Sequence, residues 1–229
     1  VGSEKLSRES LVERAVLLAD AEGLEAVTIR RLAQELGVTP MALYWHVKNK
    51  EQLLNCLADH LLREVTPEFD PGASWNVRVH VMVEALVRLM RRHRFLPGLF
   101  GVVTKGAVES FSRATDTVLD LLRQAGFTLQ EGHLISTYLL HGAMTLVDQE
   151  PGVPPSVPPE EAAEWQRQKR LALESLPADR YPCIVEYAKT LDEVDVERYY
   201  TFGLDLLIGG VEAMAARRGE AGTAVGPAG

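Results

Sequence analysis

Cysteine is nearly absent from this chain of 229 residues. Cys56 and Cys183 fit no metal-ligand or redox spacing, so free thiols in a reducing compartment are expected, with no disulfide framework and no metal site. Long apolar runs are missing too. None approaches the roughly 18 residues that a membrane span requires. The opening VGSEKLSRES offers no apolar core for a secretion signal, so a cytoplasmic protein without a membrane partner is expected. Strand-like alternation is absent, and a β-domain is not supported. Enzyme signatures are also lacking: no H-E-x-x-H, no G-x-S-x-G, no P-loop and no G-x-G-x-x-G. His93 stands on a different segment from His133 and His141, and the three form no motif. His141 could be arranged with Asp148 and Glu150 as a base and acids, but no spacing demands it. No catalytic residue and no cofactor are therefore assigned.

The chain does hold enough apolar residues, 46%, for a real core, and its length suits one large or two small domains. Its most informative stretch is TIRRLAQELGVTPMALYWHVKNKEQL, Thr28 to Leu53. Ile29, Leu32, Ala33 and Leu36 recur at i, i+3, i+4 and i+7, the apolar face of a helix capped by Thr28. Gly37 ends that helix, because a tight turn needs the left-handed backbone that glycine adopts readily. Val38, Leu43 and Val47 then anchor a second helix whose outward residues are Thr39, Met41, Ala42, Tyr44, Trp45 and His46, followed by Lys48 and Lys50. A buried helix would not expose an aromatic pair beside a histidine and two lysines. A helix that reads a DNA groove can use them all: small groups for thymine methyls, aromatics and lysines for the backbone. The net charge of −8 does not oppose this. Between Thr28 and Lys50 the basic residues Arg30, Arg31, Lys48 and Lys50 face only Glu35. A basic face on an acidic body suits a protein that must also release DNA.

The remaining chain reads as helix after helix. The first helix is expected from about Arg8 to Ala21, capped by Ser7 and closed by Gly23, with Leu11, Ala15, Leu18 and Ala19 buried. A fourth begins near Asn49 and carries Leu53, Leu54, Leu57, Leu61 and Leu62. After the breakers of 66–74, helices are expected from Trp75 to His93, from Ala107 to Gln124, and from the Thr128–Glu131 capping box to about Val147. Pro97 and Gly98 break the chain between the first two of these. The proline-rich stretch 150–160 forbids helix and reads as an extended connector or as a lid over a pocket. Helices from Glu160 to Leu176 and from about Val194 to Arg217 complete the chain. The fold expected is all-α. A helix-turn-helix DNA-binding domain over 1–66 includes the connecting helix 49–65; a larger helical domain over 67–218 binds ligand and dimerises; a disordered tail spans 219–229.

Residues 7–65 resemble the DNA-binding domain of the TetR family, and YWHVKNK, Tyr44 to Lys50, resembles its tetracycline-repressor branch. FGLDLLIGGVE, Phe202 to Glu212, is similar to that branch's last, dimer-forming helix. The resemblance implies that Thr28, Arg30, Thr39, Met41, Ala42, Tyr44, Trp45, His46, Lys48 and Lys50 meet DNA, with Arg30 at a guanine edge; the alternative for Arg30 is a pairing with phosphate or Glu35 alone. It also implies a ligand pocket from Met82, Leu86, Met90, Phe100, Phe111, Tyr138 and His141. In the branch, tetracycline arrives with a divalent metal. Here Phe100 stands where the metal-binding histidine is expected, Val147 where the acidic residue is, and Met82 and Leu86 replace two polar drug contacts. Neither phenylalanine nor valine can ligate a hard cation, so an apolar or aromatic effector without metal is expected.

A single recognition helix reads one half-site, so a homodimer on double-stranded operator DNA is expected. Phe202, Leu206 and Val211 offer apolar surface for it, while Gly203, Gly210 and Gly142 allow close approach of facing helices. The function expected is a ligand-responsive transcriptional repressor. Two alternatives stay open: a DNA-binding regulator without a small-molecule ligand, and a helical enzyme carrying an inherited DNA-binding head.

Overall fold

The computed structural model describes residues 6–70, 72–154, 156–191 and 195–224, which form α-helices and short 3-10 turns with no strand among them. α1 (Arg8–Glu22) opens with a reciprocal cap. The Ser10 N–H donates to Ser7 Oγ and the Ser7 N–H to Ser10 Oγ, each at 3.0 Å. It buries Leu11, Val12, Ala15, Val16, Leu18 and Ala19, and Gly23, at φ 86°, turns the chain away. In α2 (Ile29–Glu35) the Thr28 hydroxyl accepts from the Arg31 N–H at 3.1 Å. Gly37 takes the left-handed φ of 64° that the turn requires. Leu32 and Ala33 are buried; Ile29, Leu36 and Val38 are half-buried.

α3 (Pro40–Tyr44) is short and capped by Thr39. Leu43 and, just beyond it, Val47 are fully buried and pin it to the head. α4 (Lys50–Leu62), capped by Asn49, buries all five expected leucines and packs on α1. Arg8 also donates to Cys56 Sγ at 2.7 Å, tying the start of α1 to α4.

The body begins with α5 (Trp75–Arg92), which ends one residue earlier than expected because His93 leaves the helical conformation. Its Nδ1 lies 2.9 Å from Asp20 on α1. Pro97 and Gly98, expected to break helix, sit inside the short α6 (Leu96–Phe100). Proline is tolerated there because first-turn N–H groups need no helical acceptor. α7 (Glu109–Gln124) and α8 (Leu129–Asp148) follow, the latter opened by the expected Thr128–Glu131 box. α5 packs on both, and α7 on α8.

Two units are distinguished: Val1–Asp148 with Leu204–Gly229, and Gln149–Gly203. The smaller contains α9 (Ala162–Glu174) packed on α10 (Pro182–Ala188), a helix the sequence reading missed, and the start of α11 (Val196–Ala224). Its proline-rich segment is extended at Pro158, with φ −58° and ψ 144°. Tyr200 donates to Glu150 at 2.5 Å within this unit. Burial, and then the neighbouring Glu150 carboxylate, push the Tyr199 hydroxyl above its ordinary range. In the larger unit α11 runs antiparallel to α8. Leu207 meets Gly142, and Arg218 pairs with Glu131. The helix extends to Ala224, into the segment expected to be disordered; 225–229 and Val194 lie outside the described residues.

Candidate DNA-binding face and ligand cavity

The face built by α2 and α3 is apolar within and polar-aromatic without. Met41 is 70% exposed and Trp45 85%, beside exposed Tyr44, Thr39, Lys48 and Lys50. Ala42 and His46 are half-buried. Exposure on this scale has no folding rationale, since transfer to an apolar environment would favour burying both side chains. Thr28 and Thr39 spend their oxygens as caps, for the Arg31 and Ala42 N–H groups, and keep their hydroxyl hydrogens to donate. Arg31 is neutralised by Glu22 at 2.6 Å and Glu35 at 3.0 Å. Arg30 is exposed and makes no ion pair among the described residues. The cations that this face offers to a polyanion are thus Arg30, Lys48 and Lys50.

The body holds a cavity of about 170 Å³ between α4, α5, the α6–α7 region and α8. Met82, Leu86, Phe100 and Phe111 line it, as expected. The Phe100 and Phe111 rings tilt against each other with centroids 6.2 Å apart. Lys105, Thr115, His133, Ser136 and Thr137 add the polar lining that the sequence reading missed. On α8 the lining residues His133, Ser136, Thr137 and Leu140 fall at i, i+3, i+4 and i+7.

Three polar residues of α4, spaced one turn apart, hold the far wall of this cavity. Glu51 accepts from the Thr104 hydroxyl at 2.9 Å, and Asn55 from the Thr104 N–H at 3.3 Å. Asp59 accepts from the Ser110 N–H at 2.8 Å and so caps α7 from another helix. Burial pushes the Asp59 carboxyl up, but hydrogen bonds from Ser110 and Arg63 outweigh it and hold the group below its ordinary range.

Two family models match this architecture, the bacterial regulatory proteins of the tetR family over residues 11–57 and the tetracyclin repressor-like C-terminal domain over residues 66–215. The chain belongs to the TetR family. It is 31% identical to the HTH-type transcriptional repressor DrrR1 of Streptomyces coeruleorubidus, over 94% of this chain and 81% of that one. It is 29% identical to the class D tetracycline repressor protein of Escherichia coli, over 91% and 90% of the two chains. The crystal structure of the Streptomyces coelicolor TetR family protein ActR in complex with actinorhodin is similar at a TM-score of 0.76. Identity there is 29%, covering 92% of this chain and 97% of that one. The chain is thus a TetR-family transcriptional repressor with a helix-turn-helix head and an all-helical body.

The structure departs from the sequence reading at several of these positions. Tyr138 and His141 do not line the cavity; both are exposed, on the opposite side of α8 from the lining residues Ser136 and Leu140. Met90 is fully buried in the core and also stays off the cavity wall. Gly142 is small for a contact within the chain: a Cβ there would lie 2.6 Å from Leu207 Cδ2. Gly203 and Val211 are likewise buried within their own chain, while Phe202, Leu206 and Gly210 are exposed one turn apart on α11. Of the two positions where the branch is expected to hold metal, Phe100 lines the cavity. Val147 does not; it is buried, and its carbonyl accepts from Arg94 at 3.1 Å. Among the described residues no helix is long and apolar enough to cross a membrane, and no three His, Cys, Asp or Glu side chains come together as a metal site.

Proposed function

We propose that this repressor is ligand-responsive and releases its operator when a small apolar or aromatic molecule enters the body cavity. The observation that carries the reading is the shared wall. Phe100 and Phe111 bracket the segment that α4 grips through Glu51, Asn55 and Asp59. A ligand pressing on that wall shifts α4, and α4 packs on α1 of the head. A coupling of roughly 1–3 kcal/mol between the two sites changes operator affinity about 5- to 150-fold. The volume fits a ring compound, since an apolar cavity of about 150 Å³ holds benzene. The complex of ActR with actinorhodin supports a small-molecule effector for this architecture.

The repressor acts as a homodimer in the cytoplasm and works by binding alone, without catalysis. Leu134 and Tyr138 on α8 and Leu206 and Gly210 on the antiparallel α11 leave two unpartnered stripes side by side. A second copy covers them by a two-fold axis, making a four-helix interface that sets the two heads at half-site spacing. Each head uses Arg30 for base edges, Tyr44 and Lys50 for phosphates, and Met41 and Ala42 for thymine methyls.

The test is release of a selected operator, followed by fluorescence anisotropy in excess chelator while apolar and aromatic compounds are screened. Release without a divalent ion is expected. Leu86→Trp, which fills the cavity, should abolish release and leave operator affinity within about twofold. Release by tetracycline with a strict need for magnesium overturns the reading.

A further inference from the structure

We infer that the effector is an aromatic anion, a planar ring system carrying a carboxylate or phenolate that Lys105 recognises at the cavity rim. This rests on the ligand-responsive reading above and adds charge to it.

Two features of the lining support it. The wall is built of apolar side chains from α4, α5, α7 and α8, and among the described residues that line it there is no Asp or Glu. Lys105 is the one lysine or arginine on that wall. Lys105 is exposed, yet its ammonium lies 5.7 Å from the centre of the Phe111 ring. A lysine with free access to water gains little by lying over a ring, roughly 0.5–1 kcal/mol. A cation held over an aromatic at the mouth of a cavity without carboxylates prefers an anion whose ring continues the Phe100–Phe111 pair. It disfavours a cationic ligand outright.

The lining on α8 offers acceptors instead. Ser136 and Thr137 both donate their hydroxyl hydrogens to the His133 carbonyl, at 2.9 Å each. Their oxygens keep only lone pairs for the cavity, so they accept from ring hydroxyls or amides of the ligand. The lining therefore specifies an aromatic with one acidic group and with hydrogen-bond donors along another edge. Lys105 is also next in sequence to Thr104, which both Glu51 and Asn55 hold. Pairing of Lys105 with the anion therefore acts on the segment that α4 grips.

The experiment compares 2-naphthoate with its neutral isostere 2-naphthamide by isothermal titration of the full-length protein. Naphthoate is expected to bind about fivefold more tightly, the scale of a partly solvated ion pair, and the gap should narrow as salt is raised. Lys105→Met keeps the stem and should erase the gap while leaving naphthamide within about twofold; Lys105→Arg should restore it. Equal binding of the two probes by the wild type, or a gap that survives Lys105→Met, overturns the anion and leaves the cavity as a ligand site. Binding of neither, with thermal stability unmoved by either probe in the wild type and in Leu86→Trp alike, overturns the anion and the ligand-responsive reading together.

Discussion

α3 and α8 both hold large apolar side chains in water, on different foundations. In the five-residue α3, Leu43 and the following Val47 are buried while Met41 and Trp45 stand out among Arg30, Lys48 and Lys50. In the twenty-residue α8, Ile135, Leu139 and Ala143 are buried on one side, and Tyr138, 72% exposed, stands out on another. It faces water next to a second exposed stripe on α11, where Leu206 is 68% exposed. Exposure alone therefore does not name a partner. Cations around an exposed aromatic suit a polyanion, and a matched apolar stripe suits a second copy of the same chain.

The strongest way to break this comparison is Tyr138→Glu. A two-fold axis would place the new charge on the interface twice, and like charges so juxtaposed cost several kcal/mol. We expect a monomer by analytical ultracentrifugation and a loss of operator affinity of more than about 100-fold, with helix content unchanged by circular dichroism. A variant that stays dimeric would move the interface off α8.

Asp59→Ala asks whether the two regions are held together through α4. Losing a helix cap destabilises by about 0.5–2 kcal/mol, readable by urea denaturation. The pH dependence has a definite sign. The folded-state pKa of Asp59 is depressed by its hydrogen bonds, so its stabilisation is present above the unfolded carboxyl range, about 3.9, and is lost as pH falls through the folded value. The gap between wild type and variant should be full near about pH 6 and shrink below about pH 4. A gap independent of pH would mean that the carboxylate is not what holds α7.

The smallest effect expected is at Lys50. Lys50→Ala should weaken binding to all DNA sequences about equally and lower the slope of log affinity against log salt by about one. A changed base preference in the selected sites would instead give Lys50 a role in reading bases.

How far each region was legible follows from the same contrast. The head was readable because its constraints are local: Ser7, Thr28, Thr39 and Asn49 cap, Gly37 turns, and Leu43 and Val47 alternate with outward residues. α8 was readable as a helix but not in its facing. It is apolar on nearly every side, so periodicity could not separate cavity, core and interface, and Tyr138 and His141 were given the wrong side. The Ser136–Thr137 pair was the usable signal, since two adjacent hydroxyls on an apolar helix ask for a polar neighbour. α10 escaped because its seven residues are too few for a clear pattern, although Pro182 marks its first turn and Ile184, Tyr187 and Ala188 share a face. Lys105 escaped because it stands outside any regular α-helix, in a 3-10 turn.

The segment between Phe100 and Phe111 has an evolutionary consequence. It forms cavity wall on one side and is gripped by α4 on the other. On the proposed reading, a substitution there that retunes which molecule is sensed also resets how tightly the gene is silenced when that molecule is absent. Lineages adapting this repressor to a new signal would pass through leaky or uninducible variants. Changes on α8, away from that grip, offer the route by which the signal can change while silencing holds.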